Sequence, residues 1–265
     1  MNQSNHYPII DIGVNLMHRS FHQDREQVVQ RAIDAQVSPL IITGTSVRSS
    51  IEASRYAAQY PGKLYATAGV HPHDAKSCTS ETIAKLRELA SSPQVVAIGE
   101  CGLDYNRDFS PRDVQRKWFE EQIGLAQELE MPLFLHDREA FHDFVAILKE
   151  HAVNKAVVHC FTGTAYELRT YLDMGFHIGI TGWICDERRG KHLKELVRTI
   201  PLDRLMIETD APFLTPRDLK ERVADGRNEP SILPHVLHTV ARCIGKSAEE
   251  VAKATTETAK AFFRI

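Results

Sequence analysis

No apolar run in this 265-residue chain approaches the 18 or so residues a membrane span requires, so no membrane partner is expected. The opening stretch, MNQSNHYPII, lacks both a basic segment and a long apolar core; a secretory leader is not expected, and the cytoplasm is the expected location. Cysteine is scarce: five residues at scattered spacings, with no CxxC pair, suit free thiols in a reducing compartment better than a disulfide framework. A basic excess is missing too. The formal net charge of -3 excludes a generic polycationic coat for nucleic acid but not a local cleft, because recognition depends on where charge sits. There is also no composition break. A single domain over residues 1–265, acting as a monomer, is the expectation, and 43% hydrophobic with 25% charged residues is ordinary for a globular protein.

Apolar runs alternate with amphipathic segments along the whole chain. The runs are PIIDIGVN from Pro8, PLIITGT from Pro39, LYATAGVHP from Leu64, VVAIGECGLD from Val95, PLFLHDR from Pro132, KAVVHCFTG from Lys155, HIGITGWIC from His177 and LMIETDAP from Leu205. Most are continuous rather than alternating, as parallel strands buried on both faces should be. Helical spacing marks residues 110–130, with Pro111 near the start, residues 80–90, and the last helices from Ile232 to Phe263. Eight βα units in about 250 residues predict an α/β fold, a single-domain TIM (β/α)8 barrel. An open doubly wound sheet is the alternative, disfavoured by the strand count and by the lack of a dinucleotide-type glycine fingerprint.

A barrel of this type carries its chemistry at the C-terminal ends of its strands. Those ends hold Asp11, His71, Glu100, His136, His159 and Asp210. One histidine in an apolar run is commonly a hydrogen-bonded core residue, but six such coincidences at one face are not expected by chance. Strands 4, 5 and 6 are neighbours, so Glu100, His136 and His159 should converge as a divalent-metal site of the catalytic type. On donor chemistry alone the occupant reads as Zn²⁺ or Mn²⁺. Asp210 could accept a proton from water, bind the metal, or do both, the plain alternative being a helix cap or a turn before Pro212. Arg188 and Arg189, in CDERRG, either clamp a phosphate or pair with Asp186 and Glu187 in a solvated loop. Arg217 and Arg227 admit the same two readings. Trp183 either stacks an unpaired base or fills the core. Strand alternation should turn Cys101 and Cys160 away from the metal as small buried side chains.

The stretches GVHPHD (69–74), AIGECGLDYNRDF (97–109), LFLHDRE (133–139), VVHCFTGT (157–164), GITGWICDERRG (179–190), IETDAPFLTPR (207–217) and RNEPSILPHV (227–236) resemble the TatD family of metal-dependent deoxyribonucleases. The resemblance runs from the first strand to the last helices. It implies a TIM-barrel hydrolase, a Mg²⁺-dependent 3′→5′ exonuclease acting on single-stranded DNA and RNA in the repair of oxidative DNA damage. By matching motif it implies metal ligands Glu100, His136 and His159, with Asp210 as the active-site aspartate. His71 and His73 are expected to touch substrate or orient the site rather than bind the metal. One departure stands out: most of the wider family has two histidines in the first strand, where this chain has Gly13 and Asn15. Asn15 could offer an amide oxygen and Gly13 offers no side chain, so a single well-occupied metal position is expected. Two other readings stay open: a metal-dependent hydrolase of a small amide, lactone or phosphoester, and a metal-binding or interaction module without turnover.

Overall fold

The structure, a computed structural model, describes residues 7–188, 190–219 and 226–265. The first half runs β1 (Ile9–Val14), α1 (Arg25–Asp34), β2 (Val37–Ile42), α2 (Val47–Ala57), β3 (Leu64–Ala68), α3 (Thr82–Ala90), β4 (Val95–Asp104) and α4 (Arg112–Glu128). It continues with β5 (Leu133–Arg138), α5 (Phe141–Glu150), β6 (Ala156–Val158), α6 (Ala165–Asp173), β7 (His177–Ile180), the one-turn α7 (Leu193–Leu196), β8 (Leu205–Ile207), α8 (Leu233–Ile244) and α9 (Ala248–Phe263). Seven of the eight apolar runs contain their strand, and β2 begins two residues before its run, at Val37. The strands are ordered β1 to β8 in one sheet, without the reversal that an open doubly wound sheet requires. The traced pairs β1–β2, β3–β4, β4–β5, β5–β6 and β7–β8 are all parallel. β1 and β4 are buried along their whole length, which is why their sequences show no polar alternation.

Several runs stop being strand earlier than their hydrophobicity suggests. β7 ends at Ile180 because the Thr181 hydroxyl accepts the Trp183 N–H at 3.3 Å and starts a 3₁₀ turn, Gly182–Cys185. Trp183 is therefore half-buried in that turn. Helix ends follow local chemistry. At α2, Ser46 and Ser49 exchange side-chain-to-backbone hydrogen bonds; at α9, Ser247 and Glu250 do the same. α8 ends on Gly245 at φ +71°, the left-handed position that glycine adopts without a Cβ clash. Among the described residues no helix is long and apolar enough to cross a membrane.

The chain groups into two compact units. One comprises Met1–Ile42, Cys160–Leu168 and Ile178–Ile265. Within it, the Arg227 guanidinium donates to both Asp24 oxygens at 2.9 and 2.7 Å and to Glu229 at 2.7 Å. Arg31 donates to the same two carboxylates, so the chain around residues 227–229 is pinned to α1. The other unit comprises Thr43–His159 and Arg169–His177. Its core includes Phe119 stacked on Phe144 at 5.2 Å, with Tyr171 edge-on to Phe144.

The ion-pair network has a pH signature. The Arg227 hydrogen bonds, then those of Arg31, hold Asp24 at about 2, down from 3.8, against a smaller opposing effect of burial. A folded-state pKa below the unfolded one means that stability is present above the unfolded value and lost as pH falls through the folded value. Melting temperature should therefore fall between about pH 4 and about pH 2. Asp24→Asn should lower it at neutral pH and flatten that acid limb. An unchanged acid limb in the variant would remove Asp24 from the account.

Candidate metal centre

Glu100 is presented by an irregularity in β4. The pairing with β5 passes from Gly99↔Phe134 directly to Cys101↔Leu135, leaving Glu100 as an extra residue without a partner on β5. A bulge of this kind re-aims one side chain out of the strand's alternation. The Glu100 N–H donates instead to the Gly44 carbonyl at 2.7 Å. Gly99 and Gly102 flank it at φ +141° and +144°, a region that is essentially glycine's alone. A Cβ on Gly102 would collide with the His136 carbonyl. Glu100 is thus not the end of strand 4: pairing continues to Asp104↔Arg138. The other expected strand ends also shift, with Asp11 and His136 inside their strands, His159 one residue past β6, and His71 and Asp210 in the turns after β3 and β8.

Three imidazoles surround one oxygen. Glu100 Oε1 lies 2.7 Å from His159 Nε2, 2.9 Å from His136 Nδ1 and 3.3 Å from His71 Nε2. A second carboxylate, Asp104, lies 2.7 Å from His73 Nε2 and 3.4 Å from His136 Nε2, so His136 stands between the two acids. Asp104 was not singled out from the sequence, although its place at the end of the VVAIGECGLD run was the available clue. His71, Glu100 and His136 have donor atoms within 4.8 Å of one another, and His159 joins them through Glu100. Distance alone would admit His71 as a ligand, but its tautomer argues otherwise. His71 Nδ1 accepts the His73 N–H at 3.1 Å, so the ring proton sits on Nε2, facing Glu100. That makes His71 a support that orients the carboxylate.

The electrostatics suit a cation. Burial works against charge on Glu100, but His159, His71 and the His136 hydrogen bond outweigh it and hold the carboxyl well below its usual range. Burial pushes His71 down to about 4, so it is neutral at physiological pH. His136 is pulled down by burial, yet the Asp104 and Glu100 carboxylates together leave it raised. Its Nε2 is buried and makes no hydrogen bond among the described residues. A buried nitrogen without a hydrogen bond, 3.4 Å from the Asp104 carboxylate, is costly unless a proton or a cation occupies its lone pair. Two imidazoles and a carboxylate are a donor set that divalent cations accept.

The first-strand departure has its own geometry, in the other unit. Asp11 is fully buried and accepts from the Thr209 N–H at 3.0 Å, the Thr209 hydroxyl and the Gly13 N–H at 3.2 Å. Burial pushes its carboxyl up to about 8 despite these donors. The Gly13 carbonyl accepts the Asp210 N–H at 2.8 Å, and Ala211 accepts the Asn15 N–H at 2.7 Å. Asn15 Nδ2 donates to Asp210 Oδ1 at 2.8 Å. The two positions without histidine therefore hold Asp210, which has a left-handed φ of +54°.

The arginines divide. Arg227 is committed to Asp24 and Glu229. Arg217 pairs with Asp186 at 3.1 Å, and the largely exposed Arg188 lies 3.7 Å from Asp186. Arg189 lies outside the described residues. Cys101 is buried as expected, whereas Cys160 is half-buried, its N–H donating to Glu208 at 2.6 Å.

Comparison with known proteins gives a consistent result. Residues 10–264 match the family model described as TatD related DNase. A "3'-5' ssDNA/RNA exonuclease TatD" of Pantoea vagans is 51% identical over 97% of this chain and 100% of its own length. A protein of the same description from Shigella flexneri is 48% identical over 97% of this chain and 99% of its own. The crystal structure of a TatD homolog from Escherichia coli superposes with a TM-score of 0.89 at 26% identity, covering 97% of this chain and 98% of that one. The fold is the TIM (β/α)8 barrel of such hydrolases.

The division between ligand and support is measurable. Removing a group that orients a ligand typically costs about 10–100-fold in metal affinity. His71→Ala should fall in that range for Mn²⁺ by equilibrium dialysis, and His136→Ala should lose more. Loss as complete in His71→Ala as in His136→Ala would make His71 a ligand.

Proposed function

The chain belongs to the TatD related DNase family, and on that premise we propose that it is a metal-dependent exonuclease removing nucleotides from the 3′ end of single-stranded DNA and RNA. The observation that carries the reading is the buried Glu100 carboxylate ringed by imidazoles, in a chain half identical, over nearly all its length, to relatives named for that activity. The family match runs through both units, which supports treating residues 1–265 as one nuclease domain.

Glu100, His136 and His159 are the proposed ligands, with Mg²⁺ as the ion of turnover and Zn²⁺ or Mn²⁺ as accepted substitutes. When bound, a divalent cation supplies Lewis acidity, lowering the pKa of a water and drawing charge from a phosphoryl oxygen. The chain's own groups do the rest. Glu100 provides the negative charge that a cation requires, and His71 keeps its proton on Nε2 to steady that carboxylate. Asp104 restrains His73 and faces His136. Asp210 is the proposed proton acceptor for the attacking water, and the Asn15 amide helps to orient its carboxylate. Arg188, exposed on its loop, and His73 are the proposed contacts to the phosphate backbone. Single strands are favoured because a paired terminus costs a few kcal/mol of unstacking and unpairing.

A time course on 3′- and 5′-labelled single strands beside a blunt duplex, with Mg²⁺ or with chelator, tests the reading. Stepwise, Mg²⁺-dependent release from the 3′ end is expected. Asp210→Asn should lose about 10²–10⁴-fold in rate while still binding single strands, the usual cost of a positioned base. Equal cutting at internal duplex sites would sink the exonuclease reading, and near-normal turnover by Asp210→Asn would remove its role.

A further inference from the structure

Two stretches that carry the family resemblance, and the residue just after a third, leave behind side chains that phosphodiester chemistry does not use. Cys185 closes the 3₁₀ turn Gly182–Cys185, Asp218 follows the segment ending in Arg217, and His235 lies in the first turn of α8. Their sulfur, oxygen and nitrogen donor atoms all lie within 4.8 Å of one another. Asp218 Oδ1 and His235 Nε2 are 2.6 Å apart, within hydrogen-bond distance. Cys185 is fully buried, and its thiol donates weakly to Thr239 at 3.5 Å, one turn along α8 from His235 and on the same helix face.

This meeting is held together by contacts outside the three residues. The neighbours of Cys185 and Asp218 in sequence, Asp186 and Arg217, form an ion pair at 3.1 Å. Gly182 allows the chain at Leu214 to pass so close that any Cβ there would strike the Leu214 carbonyl. The two segments are thus brought side by side before the donors are considered, which is the preorganisation a metal site needs. About a third of the Asp218 side chain and 28% of that of His235 are exposed, so an ion has a route in from solvent.

We propose that Cys185, Asp218 and His235 form a second divalent-cation site, distinct in its donors from the Glu100 centre and suited to Zn²⁺. One thiolate, one imidazole and one carboxylate are ligand types that zinc takes together, with water completing the shell. Binding releases the Cys185 thiol proton to solvent, while His235 keeps its one proton on the ring nitrogen that does not bind the ion. The thiolate and the carboxylate then offset the ion's two positive charges, and the imidazole binds neutral. Such an ion would clamp the turn after β7 and the segment after β8 to the start of α8.

Co²⁺ is the probe, because a thiolate ligand gives it a charge-transfer absorption in the near ultraviolet that nitrogen and oxygen ligands do not. Titration of the full chain should develop this band with one equivalent, and Glu100→Gln should leave it in place. That readout does not depend on nuclease activity. Cys185→Ser should abolish the band. His235→Gln and Asp218→Asn, at partly exposed positions, should each weaken apparent Co²⁺ affinity by about tenfold or more. No band at saturating Co²⁺, a band that persists in Cys185→Ser, or unchanged affinity in both His235→Gln and Asp218→Asn would each overturn the proposal.

Discussion

The candidate centre depends on one buried oxygen, Oε1 of Glu100. A carboxylate 5% exposed is expensive to keep ionised, and the protein keeps it so by placing three ring nitrogens within 3.3 Å. The arrangement is unstable in isolation, since crowded imidazoles disfavour one another's protonation while each gains from the carboxylate. A divalent cation would resolve it, adding positive charge without adding protons. The ring of histidines around Glu100 is better explained by metal binding than by core stabilisation, where apolar residues of the same volume would serve at least as well.

Placing that oxygen required backbone as much as side chains. Regular alternation along β4 would not give Glu100 its orientation; the bulge does, and it needs glycine on both sides and a new acceptor, Gly44 O, for the displaced N–H. A comparable economy operates around Asp210. Gly13 and Asn15 offer no imidazole, but one supplies a carbonyl and the other an amide that hold the Asp210 backbone and side chain. Asp11, buried and unsuited to contact with substrate, anchors the same segment through Thr209. A sequence change that looks like loss of ligands is, in structure, a gain of positioning.

Much of this was legible in the residues. Continuous apolar runs found every strand, since strands buried on both faces leave no polar alternation to obscure them, and VVAIGECGLD matched β4 residue for residue. His136, His159 and Glu100 stood out because polar groups at the ends of core strands are costly without a purpose. Other points needed the fold. Arg227 read equally as a phosphate clamp or an ion-paired loop residue; it pairs with Asp24 and Glu229, some 200 and two residues away in sequence, the first beyond any local pattern. Asp104 passed unnoticed because its significance comes from His73 and His136, on other elements.

The sequence by itself determined the strand count, the parallel α/β class, the family and the residue types of the candidate centre, because hydrophobic period and motif spacing are local properties written along one chain. Only the tertiary structure decided that Glu100 sits in a bulge, that His71 turns its protonated nitrogen toward that carboxylate, that Asn15 serves Asp210, and that Cys185, Asp218 and His235 meet at all. Each of those depends on pairing register, tautomer or the approach of distant segments, and these are set by where other parts of the chain come to rest.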